Sequence, residues 1–328
     1  MNMTVYLVVY AFAYILSIPV HEFGHLAFGL LTGFRFNSFS LFGLTWTLED
    51  GAIKLGRTGN RFIIGQCLMR PPENEEDFSF TLYNLGGGLM NLIVGALSIV
   101  PIIAFDLGEA AFSSLLGIAT ANLAMGALNL IPMDKQLPND GMNGKMAAKS
   151  PLAKHGIYQM LRINELTTQG MTFREIPEEF FAIDGIVDYT NYLEVYLLIC
   201  QSARYYDIGD YEKSIAVYEG INLDRLQAYY SKSIKMDYLN YYCLHNLNPQ
   251  IAMQIRNDPK MKKNLGMPNP SISRVLAAYE FYINNDRERA VQLLEKARRE
   301  LDAYPNKAIK IMEGEYLENL RAKICGEI

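Results

Sequence analysis

Residues 1–25 read MNMTVYLVVYAFAYILSIPVHEFGH, an apolar run that closes on His21-Glu22-Phe23-Gly24-His25. On a helix, His21 and His25 are four residues apart and project from one face. Both imidazoles are then placed to hold one zinc ion, with Glu22 beside them as a base. The expected chemistry is zinc-assisted hydrolysis. Residues 3 to 20 carry no ionisable side chain except Tyr, so the same helix is long enough to enter or span a bilayer. Ionisable groups at that depth are costly and are functional by default.

The 328-residue chain has a net charge of −5 and is 50% apolar, an average that hides a strong internal asymmetry. Apolar stretches free of Asp, Glu, Lys and Arg recur at 78–105 and 110–133, giving candidate spans at about 3–32, 78–105 and 110–133. An odd number of spans puts the two ends on opposite sides. The segment from 35 to 77 carries Arg35, Lys54, Arg57, Arg61 and Arg70, whereas the Asp106 to Glu109 link carries no Lys or Arg. By the positive-inside rule the long loop and the C-terminal half are expected in the cytoplasm. The expected location is thus an integral, multi-pass protein of the cell membrane. With no basic n-region and no small-residue cleavage site, the first segment reads as a retained span. Cys67, Cys200, Cys243 and Cys325 lack metal spacing and are expected to be reduced thiols.

Between the first two spans, Phe36 to Leu48, the turn Glu49-Asp50-Gly51, and Ala52 to Leu55 read as a β-hairpin against the membrane face. The second span holds Gly86-Gly87-Gly88-Leu89-Met90-Asn91. Its glycines permit close backbone approach, and Asn91 lies one turn beyond Gly87, so both are candidates for substrate contact. An amide inside hydrocarbon also needs a partner. The third span runs through Asn129-Leu130-Ile131-Pro132 to Asn139-Asp140-Gly141. A catalytic zinc takes three protein ligands and keeps one open position, and Asp140 is the candidate third ligand, with Gly141 allowing a tight turn. Asp134 is the alternative ligand. Asn129 and Asn139 are candidates to bind substrate backbone or to orient a ligand.

Taken together, these motifs resemble the site-2 protease family of intramembrane zinc metalloproteases over residues 1 to about 150. The resemblance implies a three-helix catalytic core, zinc on His21, His25 and Asp140, Glu22 as general base, and a membrane-spanning protein or peptide as substrate. The loop of seven residues between Pro132 and Asp140 is longer than the common family pattern.

The C-terminal half differs in kind. Placing Ser214, Ala252 and Ala290 in register also aligns Tyr206 with Leu244 and Tyr282, and Asp210 with Asn248 and Asp286, at an interval of 38 residues. Small residues at helix crossings with apolar flanks suit stacked helical hairpins, resembling a degenerate tetratricopeptide-like array. Such an array is expected to dock a cytoplasmic protein partner.

The expected fold class is mainly α: a polytopic membrane three-helix metalloprotease core with a small β-hairpin (1–150), then a soluble α-helical repeat-like domain (151–328). No basic stripe points to nucleic acid. The expected function is intramembrane proteolysis of membrane-anchored regulators, precursors or remnant signal peptides. Two alternatives stand beside it: a membrane-bound zinc protease acting on soluble peptides, and a non-catalytic scaffold in the lipid bilayer.

Overall fold

The computed structural model describes residues 1–49, 51–57, 64–133, 138–304 and 306–326. The chain is mainly helical and forms two compact units, one built on Met1–Leu55 and Arg61–Leu161, the other on Arg162–Ile328.

In the first unit, helices α1 (Met3–Leu31), α2 (Phe80–Ala104) and α3 (Glu109–Leu130) are each long and apolar enough to cross a membrane. All three pack against one another. Glycines set how closely they approach: Gly24 meets the Gly86 backbone, Gly126 meets the Gly88 carbonyl, and Gly117 meets the backbone of Tyr6 and Tyr10. Small residues at these crossings suit a solvent in which burial of apolar surface no longer drives helices together. The third span stops at Leu130, short of the expected residue 133, because Ile131 precedes Pro132 and takes an extended conformation. Two further helices follow, α4 (Asp140–Ala147) and α5 (Pro151–Gln169).

The expected two-stranded hairpin is a four-stranded antiparallel sheet. Its strands are β1 (Arg35–Leu41), β2 (Leu44–Glu49), β3 (Ala52–Arg57) and β4 (Gly65–Arg70), in the order β3-β2-β1-β4. The run expected as one strand from Phe36 to Leu48 folds back at Phe42-Gly43. Leu41 pairs with Leu44, and the two loop residues have φ of 48° and 86°. Two left-handed residues make the turn whose twist matches the flanking strands. The turn at Glu49-Asp50-Gly51 includes Asp50, which lies outside the described residues. Strand β4 pairs with β1 and packs on α1.

The second unit contains α6 (Tyr192–Asp207), α7 (Tyr211–Ala216), α8 (Ala228–Leu244), α9 (Pro249–Arg256), α10 (Lys262–Leu265), α11 (Pro270–Tyr282), α12 (Arg287–Asp302) and α13 (Lys307–Cys325). The 38-residue register has a structural counterpart. Asp210, Asn248 and Asp286 each N-cap the second helix of a pair, accepting from the backbone N–H of Lys213, Ile251 and Arg289. Ser214, Ala252 and Ala290, four residues on, are all buried. Inside the unit Arg274 is buried and paired with Glu313 at 2.8 Å, and it also donates to Asn240. Removing one partner of such a pair strands a charge, so it ties α8, α11 and α13 into one arrangement.

Candidate metal centre

Helical spacing puts His21 and His25 on one face of α1, where their Nε2 atoms lie 3.1 Å apart. Asp140, the first residue of α4, brings its Oδ2 to 3.1 Å from His21 Nε2 and 3.4 Å from His25 Nε2. Residues separated by more than a hundred positions thus form one His-His-Asp group able to hold a metal ion.

Local chemistry fixes the ligand from α4. Asn139 caps that helix: its Oδ1 accepts from Met142 N and Met133 N, and its Nδ2 donates to Leu128 O and Ile131 O at 2.7 Å each. The start of α4 is thereby bound to the end of α3. From the other side, Asn84 of α2 donates to the Asp140 carbonyl at 2.6 Å. Gly141 is helical, and its need for glycine is close approach: a Cβ there would run into the Leu130 carbonyl. Its expected role in a tight turn is therefore replaced by tight packing of α4 on α3.

Both imidazoles have a defined tautomer. His25 Nδ1 lies 2.9 Å from the Tyr83 carbonyl, which can only accept, so Nδ1 carries the proton and Nε2 the lone pair. His21 Nδ1 meets Asn91 Oδ1 at 3.1 Å with the same consequence. Asp140 Oδ2 is buried and accepts no hydrogen bond from any described residue. In the neutral rings, the two Nε2 lone pairs and Asp140 Oδ2 therefore face one another. That arrangement repels itself when empty and is satisfied by a cation. Donor atoms at tetrahedral angles, with bonds of roughly 2.0–2.1 Å, lie about 3.3–3.4 Å apart, close to the spacing seen here.

Gly87 completes the cradle. A Cβ at this position would sit 2.6 Å from the Nε2 atoms of both His21 and His25. Glu22 is buried on the same helix. Its carboxylate lies against β4, where a Cβ on Gly65 would be 2.7 Å from Oε1, and it interacts electrostatically with His25, His21 and Asp140. Burial, and then the charge of Glu22, push the nearby Cys67 thiol up.

The remaining sequence candidates have the following surroundings. Gly87 and Asn91, expected to meet substrate, lie against the two histidines and against His21 Nδ1 respectively. Asn139, expected at substrate or behind a ligand, spends its amide on the α3–α4 junction. Asn129 donates to Met125 O within its own helix, and its Oδ1 takes no hydrogen bond among the described residues. Asp134 lies outside the described residues. Sequence reasoning missed Tyr83, Asn84 and Asn122. Asn84 and Asn122 carried the signal that singled out Asn91, an amide in an apolar span, but no spacing linked them to the histidines.

Comparison with known proteins finds no matching family model, no matching characterised protein and no matching solved structure.

Proposed function

We propose that the chain is a zinc-dependent intramembrane endopeptidase of the site-2 protease kind, cutting membrane-anchored protein substrates in the cell membrane. The observation that carries this reading is the convergence of His21 Nε2, His25 Nε2 and Asp140 Oδ2 beside the Glu22 carboxylate, on helices long and apolar enough to span a bilayer. Two imidazoles and one carboxylate are a donor set that suits zinc and leaves a fourth position open.

In this reading His21, His25 and Asp140 hold the ion, which when bound supplies Lewis acidity to polarise a peptide carbonyl and acidify water. Glu22 takes the proton of the attacking water as its oxygen bonds to the carbonyl carbon. The same carboxyl then delivers that proton to the amine nitrogen as the C–N bond breaks. Asn139 and Asn84 hold Asp140 in place, while Tyr83 and Asn91 orient the imidazoles. His21 lies ten residues before the end of α1, a depth of about 15 Å at ~1.5 Å per residue, so water must be admitted into the apolar layer. A substrate helix must unwind before its peptide bond is reachable. The terminal strand β4, which runs past Glu22 at Gly65, offers backbone groups to an extended segment.

The test compares membranes of cells carrying the native chain with those carrying Glu22→Gln. Full-length membrane proteins should accumulate in the variant while the purified variant keeps its metal. Equal processing in both would end the proteolytic reading.

A further inference from the structure

We infer that Asn122 of α3 is a positioning residue for the metal centre, acting through Asn91 on His21. Two backbone carbonyls, of Ile118 and Ser17, can only accept. Asn122 sends Nδ2 to the Ile118 carbonyl at 3.0 Å, so the other end of its amide, Oδ1, faces Asn91. Asn91 sends Nδ2 to the Ser17 carbonyl at 2.9 Å and to Asn122 Oδ1 at 3.1 Å, which leaves its own Oδ1 facing His21 Nδ1. Each amide is thus locked in one orientation by a group that cannot reverse its role. Donation runs one way, from the His21 imidazole through both amides to the Ile118 carbonyl of α3.

Burial makes the lock strict. Asn91 is 0% and Asn122 3% exposed, so no bulk water competes for their amide groups. If Asn91 rotated, its NH2 would face His21 Nδ1. The imidazole would then move its proton to Nε2 and lose the lone pair that points at His25 and Asp140. Asn122 Oδ1 opposes that rotation, because an NH2 group is the only end of Asn91 it can accept. The relay also links all three helices: Ser17 and His21 on α1, Asn91 on α2, and Asn122 on α3. Groups behind a ligand of this kind commonly change metal affinity about 10- to 100-fold when lost.

The inference rests on the metal reading above but not on proteolysis. Purified full-length protein in detergent, stripped of metal, is titrated with Co2+, and its visible absorption is followed. Asn122→Leu should bind at least about tenfold more weakly than the native chain and shift the absorption bands. Asn122→Ala reads the same loss should Leu prevent folding. Asn122→Asp, held protonated by its apolar burial, keeps an O–H for the Ile118 carbonyl and an acceptor oxygen toward Asn91, and should restore native affinity. Native affinity in Leu and Ala would overturn the relay. An equal loss in Asp would also overturn it, by reducing Asn122 to a packing residue. Absence of Co2+ binding by the native chain would remove the metal centre itself, and the relay with it.

Discussion

At position 87 the absence of a side chain leaves the space between two imidazoles open. A single methyl group there would occupy the space between two imidazole nitrogens, at 2.6 Å from each. Gly87→Ala should therefore abolish stoichiometric metal binding while α2 still forms, since Ala is the better helix former. Elemental analysis of the purified variant checks this, and one ion per chain would contradict it. Asn139 makes a different contribution. Its loss in Asn139→Ala removes an N-cap worth about 1 kcal/mol and two bonds to the Leu128 and Ile131 carbonyls worth about 0.5–1.5 kcal/mol each. The thermal midpoint and metal affinity should fall together; a fall in neither would show that α4 is fixed by other means. In the second unit, His245 stacks on Tyr211 with ring centroids 3.5 Å apart. Burial, followed by the charges of Lys323 and Arg274, holds its pKa down at about 4. Between about pH 4 and 6.5 the folded chain therefore binds fewer protons than the unfolded one. Stability should be lost as pH falls through that window, and His245→Phe should lessen the loss. Parallel thermal slopes for both proteins would contradict it. At this scale the histidines, Glu22 and Asp140 were legible because motif and spacing name them. Asn84 and Asn122 were not, because their partners come from other helices and no local pattern encodes a long-range hydrogen bond.

Among the elements, β4 connects the sheet to the site. Tyr83 serves both: its carbonyl receives His25 Nδ1, and its hydroxyl donates to the Cys67 carbonyl at 2.9 Å. Tyr83→Phe keeps the first contact and deletes the second. It should retain metal yet lower peptide cleavage about tenfold, because β4 is no longer held beside Glu22; unchanged turnover would dissociate the strand from catalysis. The sheet was only partly legible. Gly51 announces a turn by composition, whereas Phe42-Gly43 was hidden inside an unbroken β-prone run, with a Phe accepting a left-handed conformation that sequence disfavours. The helical hairpins were read more fully. Asp210, Asn248 and Asp286 fall at equal intervals and do the same capping work, so a repeat in sequence became a repeat in structure.

For the molecule as a whole, three helices are long and apolar enough to cross a membrane, and in the proposed reading three crossings put Asn2 and Cys325 on opposite faces. An impermeant thiol reagent should reach a cysteine placed at position 2 and the native Cys325 from opposite sides of sealed vesicles. Labelling of both from one side would require a different number of crossings. Within the first unit, the centre gathers donors from α1 and α4 and support from α2 and α3, so the three-helix packing and the ligand set stand or fall together. X-ray absorption of the purified chain loaded with one equivalent of zinc tests this most directly. The inner shell should contain two imidazole nitrogens and a carboxylate oxygen at about 2.0–2.2 Å, with the carboxylate contribution lost in Asp140→Ala. A shell without paired imidazoles, or one unchanged by Asp140→Ala, would contradict it.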